Sequence, residues 1–257
     1  MPAGTFVRCA AIALIAICLP CVAQDRKLPD PSTFQTGDFL WPKVPGAIVP
    51  YDSRPGKADA KVKAQWNAER LAYLARIKVA SQTDEELKRR YELLSSMTYE
   101  QFLITYLAGN GQSKDPIGDR GNLIYTGHVA IIEVVDGTPW VIEAVPPTLQ
   151  RITYADWLAG RQDENVWHGR LKDAAPEERA KIAAVAKTEV GKPYDFWNFD
   201  LADESGFYCS KLTWFSVYKS LNREIDGWGP IRLLWFSPKQ MMHSDQSITI
   251  LFSAGDY

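Results

Sequence analysis

Apolar residues recur at helical spacing through residues 57–108, with charged residues between them. Four of them fall approximately on one face of a helix: Trp66, Leu71, Leu74 and Ile77. Capping boxes that begin with threonine open at residues 83–86 and 98–101. The pattern predicts two or three amphipathic helices, whose charged face is either a solvated surface or the outer side of a lid over a site.

A strand pattern replaces the helical one from residue 124 onward. A β-branched run ends at Val135, Asp136-Gly137 forms a strong hairpin turn, and a returning strand spans residues 138–145. Shorter strand patterns lie at residues 39–41, 150–152, 166–171 and 247–252. Helices are predicted for residues 176–190 and for the apolar run that begins near Cys209.

The first 23 residues have the pattern of a secretory signal. Arg8 precedes an apolar run over residues 9–19, and the small residues 21–23 stand before a polar segment. The run is too short to span a bilayer comfortably, although a retained anchor is the alternative. The sequence therefore predicts a periplasmic or secreted protein with no transmembrane segment after the signal is removed.

Charge and motifs exclude several classes of function. Losing Arg8 with the signal changes the formal net charge from -2 to about -3, and basic clusters alternating with aromatic residues are absent, which argues against nucleic-acid binding. Outside the predicted signal, which contains Cys18 and Cys21, the spacings C-x-x-C and H-x-x-x-H are absent, so no metal is predicted. The motifs G-x-S-x-G and G-x-x-x-x-G-K-[ST] are also absent. We predict no cofactor.

Cys209 is the only cysteine outside the predicted signal. Exported proteins usually pair their cysteines, so an unpaired one requires an explanation, and reactivity is one explanation. A thiol in the first turn of a helix faces free backbone N–H groups and the positive end of the helix dipole, which favour the nucleophilic thiolate. The alternative is a small buried apolar residue.

The three histidines of the chain are the candidate bases for this thiol. His128 opens the first strand of the hairpin, and counting back from the turn makes Glu143 its diagonal neighbour on the second strand. Glu143 lies in an apolar run where a carboxylate is costly to bury unless paired, and Glu133 is the competing partner. We expect His168 to be hydrogen-bonded at the surface of a strand and His243 to be exposed.

A family resemblance follows from the order of these features. It includes Gly37-Asp38 in an early strand, His128 and Glu143 on successive strands, the turn 191–195, and Tyr208-Cys209-Ser210 at a helix start. Together they resemble the circularly permuted branch of the NlpC-type papain-like cysteine hydrolases, and the YiiX/YebB-like proteins in particular. The resemblance loosely covers residues 35–52 and 117–220.

The resemblance implies an α+β, papain-like fold in which an antiparallel sheet packs on the Cys209 helix. Four parts are expected: the signal, a lead-in with the first strand at 24–56, a helical insertion at 57–110, and a catalytic core at 111–257. The family often has a glutamate two residues after the cysteine, where this chain has Lys211. This cation either favours the thiolate or faces solvent.

The resemblance also implies roles for individual residues. Cys209 attacks a carbonyl, His128 accepts the thiol proton and later protonates the leaving group, and Glu143 holds the imidazole. Four further residues are candidates for the substrate pocket or the oxyanion donors: Asp38, Tyr194, Tyr208 and Ser210. A packed aromatic side chain is the alternative for Tyr194.

The leading hypothesis is an exported cysteine amidase or peptidase that acts on a peptide or acyl amide of the cell envelope, such as a peptidoglycan stem peptide. One alternative keeps the chemistry but directs it at lipids, as an acyltransferase or thioesterase, with residues 57–108 shaping an apolar groove. The other is a non-catalytic periplasmic binding protein on the same fold.

Overall fold

The computed structural model describes residues 26–43, 60–102, 127–232, 235–255 and 257. The predicted signal sequence lies outside these residues. Within them, no helix has the length and apolar character needed to cross a membrane.

The described strands form one antiparallel sheet. They are β1 (Phe39–Lys43), β2 (Ala130–Val135), β3 (Thr138–Glu143), β4 (Gln150–Thr153), β5 (Asn165–Leu171) and β6 (Ile248–Phe252). Their order across the sheet is β4-β3-β2-β1-β5-β6, so the early strand β1 lies in the middle. Val135 pairs with Thr138 across a turn in which Asp136 and Gly137 both have positive φ, which is the hairpin register predicted from the sequence.

Six helices accompany the sheet in the described part of the chain. They are α1 (Ala60–Ile77), α2 (Glu85–Ser96), α3 (Tyr154–Ala159), α4 (Pro176–Thr188), α5 (Cys209–Leu221) and α6 (Pro238–Met242). Residues 99–102 are also helical. This mixture of helices with an antiparallel sheet is the α+β class that was predicted.

The two predicted capping boxes have different outcomes. Thr98 and Gln101 exchange reciprocal hydrogen bonds, as predicted. The cap of α2 is Asp84 rather than Thr83, since the Asp84 carboxylate accepts the backbone N–H groups of Glu86 and Leu87. An aspartate one residue later offers a better acceptor for the free amides of the first turn.

Both faces of the sheet are covered. Successive residues of a strand point to opposite sides, so Phe39 packs in the larger cluster with helices α4 and α5, while Leu40 packs in a smaller cluster with Trp157 of α3. Helix α5 is buried along its length from residue 210 to residue 217. Its N-terminus, with Cys209, is thereby held against the core.

The predicted helical insertion shares the larger cluster rather than forming a core of its own. Trp66 and Tyr73 of α1 pack on Trp197 in the segment that precedes α5. Leu71 was predicted on the buried face but is 51% exposed, because Tyr73 occupies the inward position. Helix α1 therefore lies directly against the part of the chain that leads to Cys209.

Candidate active site

Glu143 is a buried carboxylate that accepts four side-chain hydrogen bonds. Its Oε2 atom accepts from His128 Nε2 at 2.6 Å, from Trp157 Nε1 at 2.8 Å and from Arg161 at 3.0 Å, while Oε1 accepts from Gln150 at 2.7 Å. Burial alone would raise the pKa of Glu143, but His128, Arg161 and Trp157 outweigh it and lower the pKa to about 2. The carboxylate is therefore charged at neutral pH.

The position of Glu143 follows from strand alternation. Val141 and Glu143 share the sheet face that α3 covers, and α3 places Trp157 over this face. Gln150 lies directly opposite Glu143 in the β3–β4 register. The charge that would be costly among apolar residues is offset by donors from three separate segments.

His128 lies just before β2, after Gly127, whose φ is 63°. Burial alone would lower the pKa of its ring, but interactions with Cys209 and Glu143 outweigh burial and raise the pKa from 6.5 to about 9. With Nε2 directed at Glu143, Nδ1 is the ring nitrogen left for the thiol. The ring is therefore an imidazolium at neutral pH, fixed in orientation by a buried carboxylate.

Cys209 is the first residue of α5, and its thiol is free. It lines a cavity of about 180 Å³ together with His128. The other residues of this cavity are Gly127, Tyr194, Phe196, Tyr208, Ser210, Trp235 and Pro238. The thiol and the imidazolium thus meet in one cavity at the positive end of a core helix.

The turn before α5 is fixed by close backbone packing. Asp195 N–H donates to the Phe207 carbonyl, and Phe207 N–H donates to the Pro193 carbonyl. A side chain at Gly206 would meet the Asp195 Cβ atom at 2.8 Å, so only glycine fits there. This packing determines where the helix begins and hence where the Cys209 sulfur lies.

Titration of the histidine rings, followed by NMR, tests this electrostatic arrangement. We expect His128 to keep its proton at pH 7.5 and to lose it near pH 9. His243 is exposed, but incomplete solvation of its ring and the nearby Lys239 lower its pKa, so it should titrate below 6.5 in the same spectra. Because the folded-state pKa of His128 is raised, its contacts stabilise the fold fully below about pH 6.5 and lose this effect as the pH rises through about 9. A His128 titration at or below 6.5 would contradict the arrangement.

Three of the four pocket candidates lie at the cavity. Tyr194, Tyr208 and Ser210 line it. The Ser210 hydroxyl donates to the Phe236 carbonyl at 2.6 Å, and the Tyr208 hydroxyl accepts the Phe236 N–H at 3.0 Å. Burial raises the pKa of the Tyr194 and Tyr208 hydroxyls, so both remain neutral. The side chains of Tyr208 and Ser210 hold the cavity wall in place.

Asp38, the fourth candidate, lies elsewhere. Its fully buried carboxylate accepts hydrogen bonds from Arg170, at 2.6 and 2.9 Å, and from His168 at 2.8 Å. The placement of His168 at the surface was also wrong, because this ring is buried against Asp38. A buried charge directly before the middle strand requires such partners, so Asp38 joins the start of β1 to β5 rather than lining the cavity. His243 is exposed, as expected.

Glu133, the competing partner of His128, is engaged with cations. Its carboxylate accepts from Arg151 at 2.5 Å and from Lys187 at 2.9 Å. It lies opposite Trp140, near the turn of the hairpin, whereas His128 lies beyond the other end of β2. Glu143 is therefore the carboxylate that contacts the imidazole.

Lys211 is buried, with 0% of its surface exposed, so of the two alternatives for this residue the one in which it faces solvent was wrong. Its Nζ atom lies 5.1 Å from the centroid of the Phe207 ring and has no hydrogen-bond partner among the described residues. Burial lowers the pKa of this amine to about 7, although three carboxylates oppose the shift. These carboxylates belong to Asp203, Asp200 and Asp195.

The residues that surround Glu143 were not predicted from the sequence. Gln150 could have been predicted as a partner of Glu143, because a strand that follows the hairpin places one of its residues opposite Glu143. No sequence pattern predicts the contacts of Trp157 and Arg161, since a short helix and a loop bring these residues to the carboxylate. In the described ranges, no group of three or more His, Cys, Asp or Glu side chains is placed to hold a metal ion.

A thiol that opens a core helix, an imidazolium beside it and a buried carboxylate behind the ring are the arrangement of a papain-like cysteine hydrolase. Residues 112–232 match the sequence model of a family described as "Permuted papain-like amidase enzyme, YaeF/YiiX, C92 family". The resemblance predicted from the sequence is thereby confirmed over this part of the chain. The predicted enzyme class, a cysteine amidase or peptidase, is confirmed at the level of the family.

Two individual proteins are also similar to this chain. The uncharacterized protein YiiX of Escherichia coli strain K12 is 32% identical over 94 residues, which are 36% of this chain and 45% of that protein. The match thus spans less than half of that relative's length. The crystal structure of metalloprotein yiiX from Escherichia coli O157:H7 is 16% identical and has a TM-score of 0.47, covering 85% of this chain and 97% of that one.

Proposed function

We propose that this protein is an exported cysteine amidase that cleaves an amide bond in cell-envelope material, with peptidoglycan stem peptides as the first candidate substrates. The observation that carries the proposal is the continuous interaction from Glu143 through His128 to the Cys209 thiol. The family matched by residues 112–232 supports the amidase chemistry. The signal-like first 23 residues support export, and export in turn favours an envelope substrate.

The proposed reaction proceeds through an acyl-enzyme. Cys209 gives its thiol proton to His128, which creates the thiolate and the imidazolium together; the sulfur attacks the amide carbonyl carbon, and the imidazolium then gives that proton to the leaving nitrogen as the C–N bond breaks. Water then loses a proton to His128 and attacks the thioester, which releases the acid and regenerates the sulfur. Glu143 holds the ring in position and stabilises its charged form throughout.

The oxyanion of each tetrahedral intermediate requires hydrogen-bond donors. Because Cys209 is the first residue of α5, its backbone N–H has no acceptor within the helix and points along the positive end of the helix dipole. We assign this N–H as one oxyanion donor. The Tyr194 hydroxyl, which lines the cavity and stays neutral, is the candidate for the second donor.

The same chemistry on a lipid ester or thioester is the second candidate function. It is favoured by the aromatic character of the residues around Cys209, which include Tyr194, Phe196 and Trp235. A non-catalytic binding protein is less well supported, because that reading requires a Cys209 that is remote from His128, whereas the two residues share one cavity.

A substrate panel tests the proposal and separates the two candidate functions. Purified protein lacking residues 1–23 is incubated with muropeptides, acyl amides, acyl esters and acyl thioesters, and products are identified by mass spectrometry. We expect amide cleavage that is lost by at least about 10³-fold in Cys209→Ala, because the nucleophile is removed. Ser216→Ala, on the same helix, is the matched control and should retain activity.

Two results would contradict the proposal. Amide cleavage that persists in Cys209→Ala would exclude this nucleophile. Cleavage restricted to esters and thioesters would replace the amidase by the lipid-directed function.

A further inference from the structure

A second, larger cavity lies beside the one that holds Cys209. Its volume is about 570 Å³. One wall is formed by α1, and the other by Pro146 and the segment 194–197. Helix α1 lies outside residues 112–232, the part of the chain that matches the amidase family.

The wall from α1 is a single face of the helix. Its residues follow one another at steps of one, three and four positions, which places them in neighbouring turns on one side: Gln65, Glu69, Ala72, Tyr73 and Arg76. Two side-chain hydrogen bonds hold this face of α1 against the segment 194–197. Arg76 bonds Asp195 at 2.6 Å, and Trp197 Nε1 donates to Glu69 at 3.3 Å.

The two cavities share part of their lining. Tyr194 and Phe196 belong to both. The cavity around Cys209, at about 180 Å³, is smaller than the roughly 300–1,000 Å³ typical of ligand pockets. A substrate with its scissile bond at the sulfur must therefore extend beyond that cavity, and the larger cavity is directly adjacent to it.

The lining of the larger cavity favours apolar groups. Tyr73, Phe196 and Trp197 are mostly buried aromatic residues that border it. The polar side chains are already bonded to one another, since Gln65 donates to Glu69 at 3.0 Å as well. Apolar contact is therefore what an occupant gains.

The charge of the lining disfavours anions. Glu69 and Asp195 contribute two carboxylates, and Arg76 contributes one guanidinium, which is committed to Asp195. A negatively charged group placed here would meet a net negative lining in a partly enclosed space.

We propose that this α1-walled cavity is the specificity subsite of the enzyme, and that it binds the part of the substrate next to the scissile bond as an apolar, preferably aromatic, group without a negative charge. The proposal rests on the proposed function in assuming that Cys209 is the reacting atom. Among the envelope substrates of the proposed function, this subsite favours an apolar acyl amide or peptide over the carboxylate-bearing residues of a peptidoglycan stem peptide.

Chloroacetamides that alkylate Cys209 test the subsite without the natural substrate. Alkylation rates are measured by intact-protein mass spectrometry for N-methyl, N-phenethyl and N-(4-carboxyphenethyl) chloroacetamide. We expect the phenethyl reagent to react at least about tenfold faster than the methyl reagent, through burial of the ring, and the carboxylate to remove most of this advantage. Glu69→Gln should restore part of the rate of the carboxylate reagent.

Two substitutions on α1 provide the matched comparison. Ala72→Trp fills the cavity from an exposed position on the helix, and Ala75→Trp adds the same side chain at an exposed position that does not line it. The measured quantity is the ratio of phenethyl to methyl rates. We expect it to fall to about one in Ala72→Trp and to stay at the wild-type value in Ala75→Trp.

A binding measurement keeps the test independent of catalysis. Calorimetric titration of Cys209→Ala with N-phenethylacetamide should show binding that Ala72→Trp abolishes. Failure of this binding, or a phenethyl to methyl ratio that Ala72→Trp leaves unchanged, would overturn the subsite. Binding to Cys209→Ala together with an inert thiol in the wild type would support the subsite and overturn the proposed function instead.

Discussion

Glu143→Gln is expected to lower the rate of amide hydrolysis by about 10²- to 10⁴-fold. The carboxylate is what makes the His128 ring both charged and correctly oriented, through a contact of 2.6 Å. A neutral amide cannot stabilise the imidazolium to the same extent. It also keeps only one acceptor oxygen, so either Gln150 or the donors of Trp157 and Arg161 then face an N–H group.

The measurement is the rate with the best amide of the substrate panel, together with the His128 pKa by NMR. We expect the pKa to fall from about 9 toward 6.5 in Glu143→Gln. His128→Gln, which leaves the buried carboxylate and its other donors in place, should lower the rate at least as much.

Glu133→Gln is the matched control for this prediction. The substitution is the same, on the paired strand, but the Glu133 carboxylate bonds Arg151 and Lys187 rather than the imidazole. Hydrolysis should therefore change by less than about threefold, since these partly buried ion pairs neither contact the imidazole nor line the cavity around Cys209. Equal losses of hydrolysis in Glu133→Gln and Glu143→Gln would show that Glu143→Gln lowers the rate by disturbing the fold and not by changing the imidazole.

Lys211→Met is expected to raise the free energy of unfolding by an amount on the order of a few kcal/mol at and below pH 7. The Lys211 amine is fully buried, and its pKa is lowered to about 7, mainly by that burial. Methionine fills a similar volume and leaves no unpaired polar atom. The ring of Phe207, 5.1 Å from the amine, would retain an apolar neighbour.

The increase in the free energy of unfolding caused by Lys211→Met depends on pH. Between about pH 7 and 10.5 the unfolded chain binds a proton at Lys211 that the folded chain does not, so the wild type becomes more stable as the pH rises through this range. The advantage of Lys211→Met should therefore be greatest at and below pH 7 and should shrink toward pH 10.

Urea denaturation at pH 6 and pH 9.5 measures this effect. Lys181→Met, at an exposed position on α4, is the control and should change stability by less than about 0.5 kcal/mol at both values. A loss of stability in Lys211→Met at pH 6 would mean that the amine has a favourable partner and that the burial argument is incorrect.

The sequence determined the features that depend on residues close to one another along the chain. Asp136-Gly137 fixed the hairpin register, because two positive φ angles in a two-residue turn leave one way to pair the flanking strands. That register brought Glu143 within reach of His128. The residue types of the candidate site and the start of α5 were likewise predictable, since a Gly-containing turn and an apolar run at helical spacing are local signals.

The tertiary structure decided every direction and distance that depends on packing between remote segments. The Gly37-Asp38 motif located Asp38 at the start of a strand but did not identify its partners, which come from β5. The burial of Lys211 and the approach of Arg161 to Glu143 were equally hidden. The sequence left open whether residues 57–108 cover a site, and only the packing places α1 along the cavity next to that of Cys209. Periodicity records which face of an element is apolar, but which other element meets that face depends on how the whole chain packs.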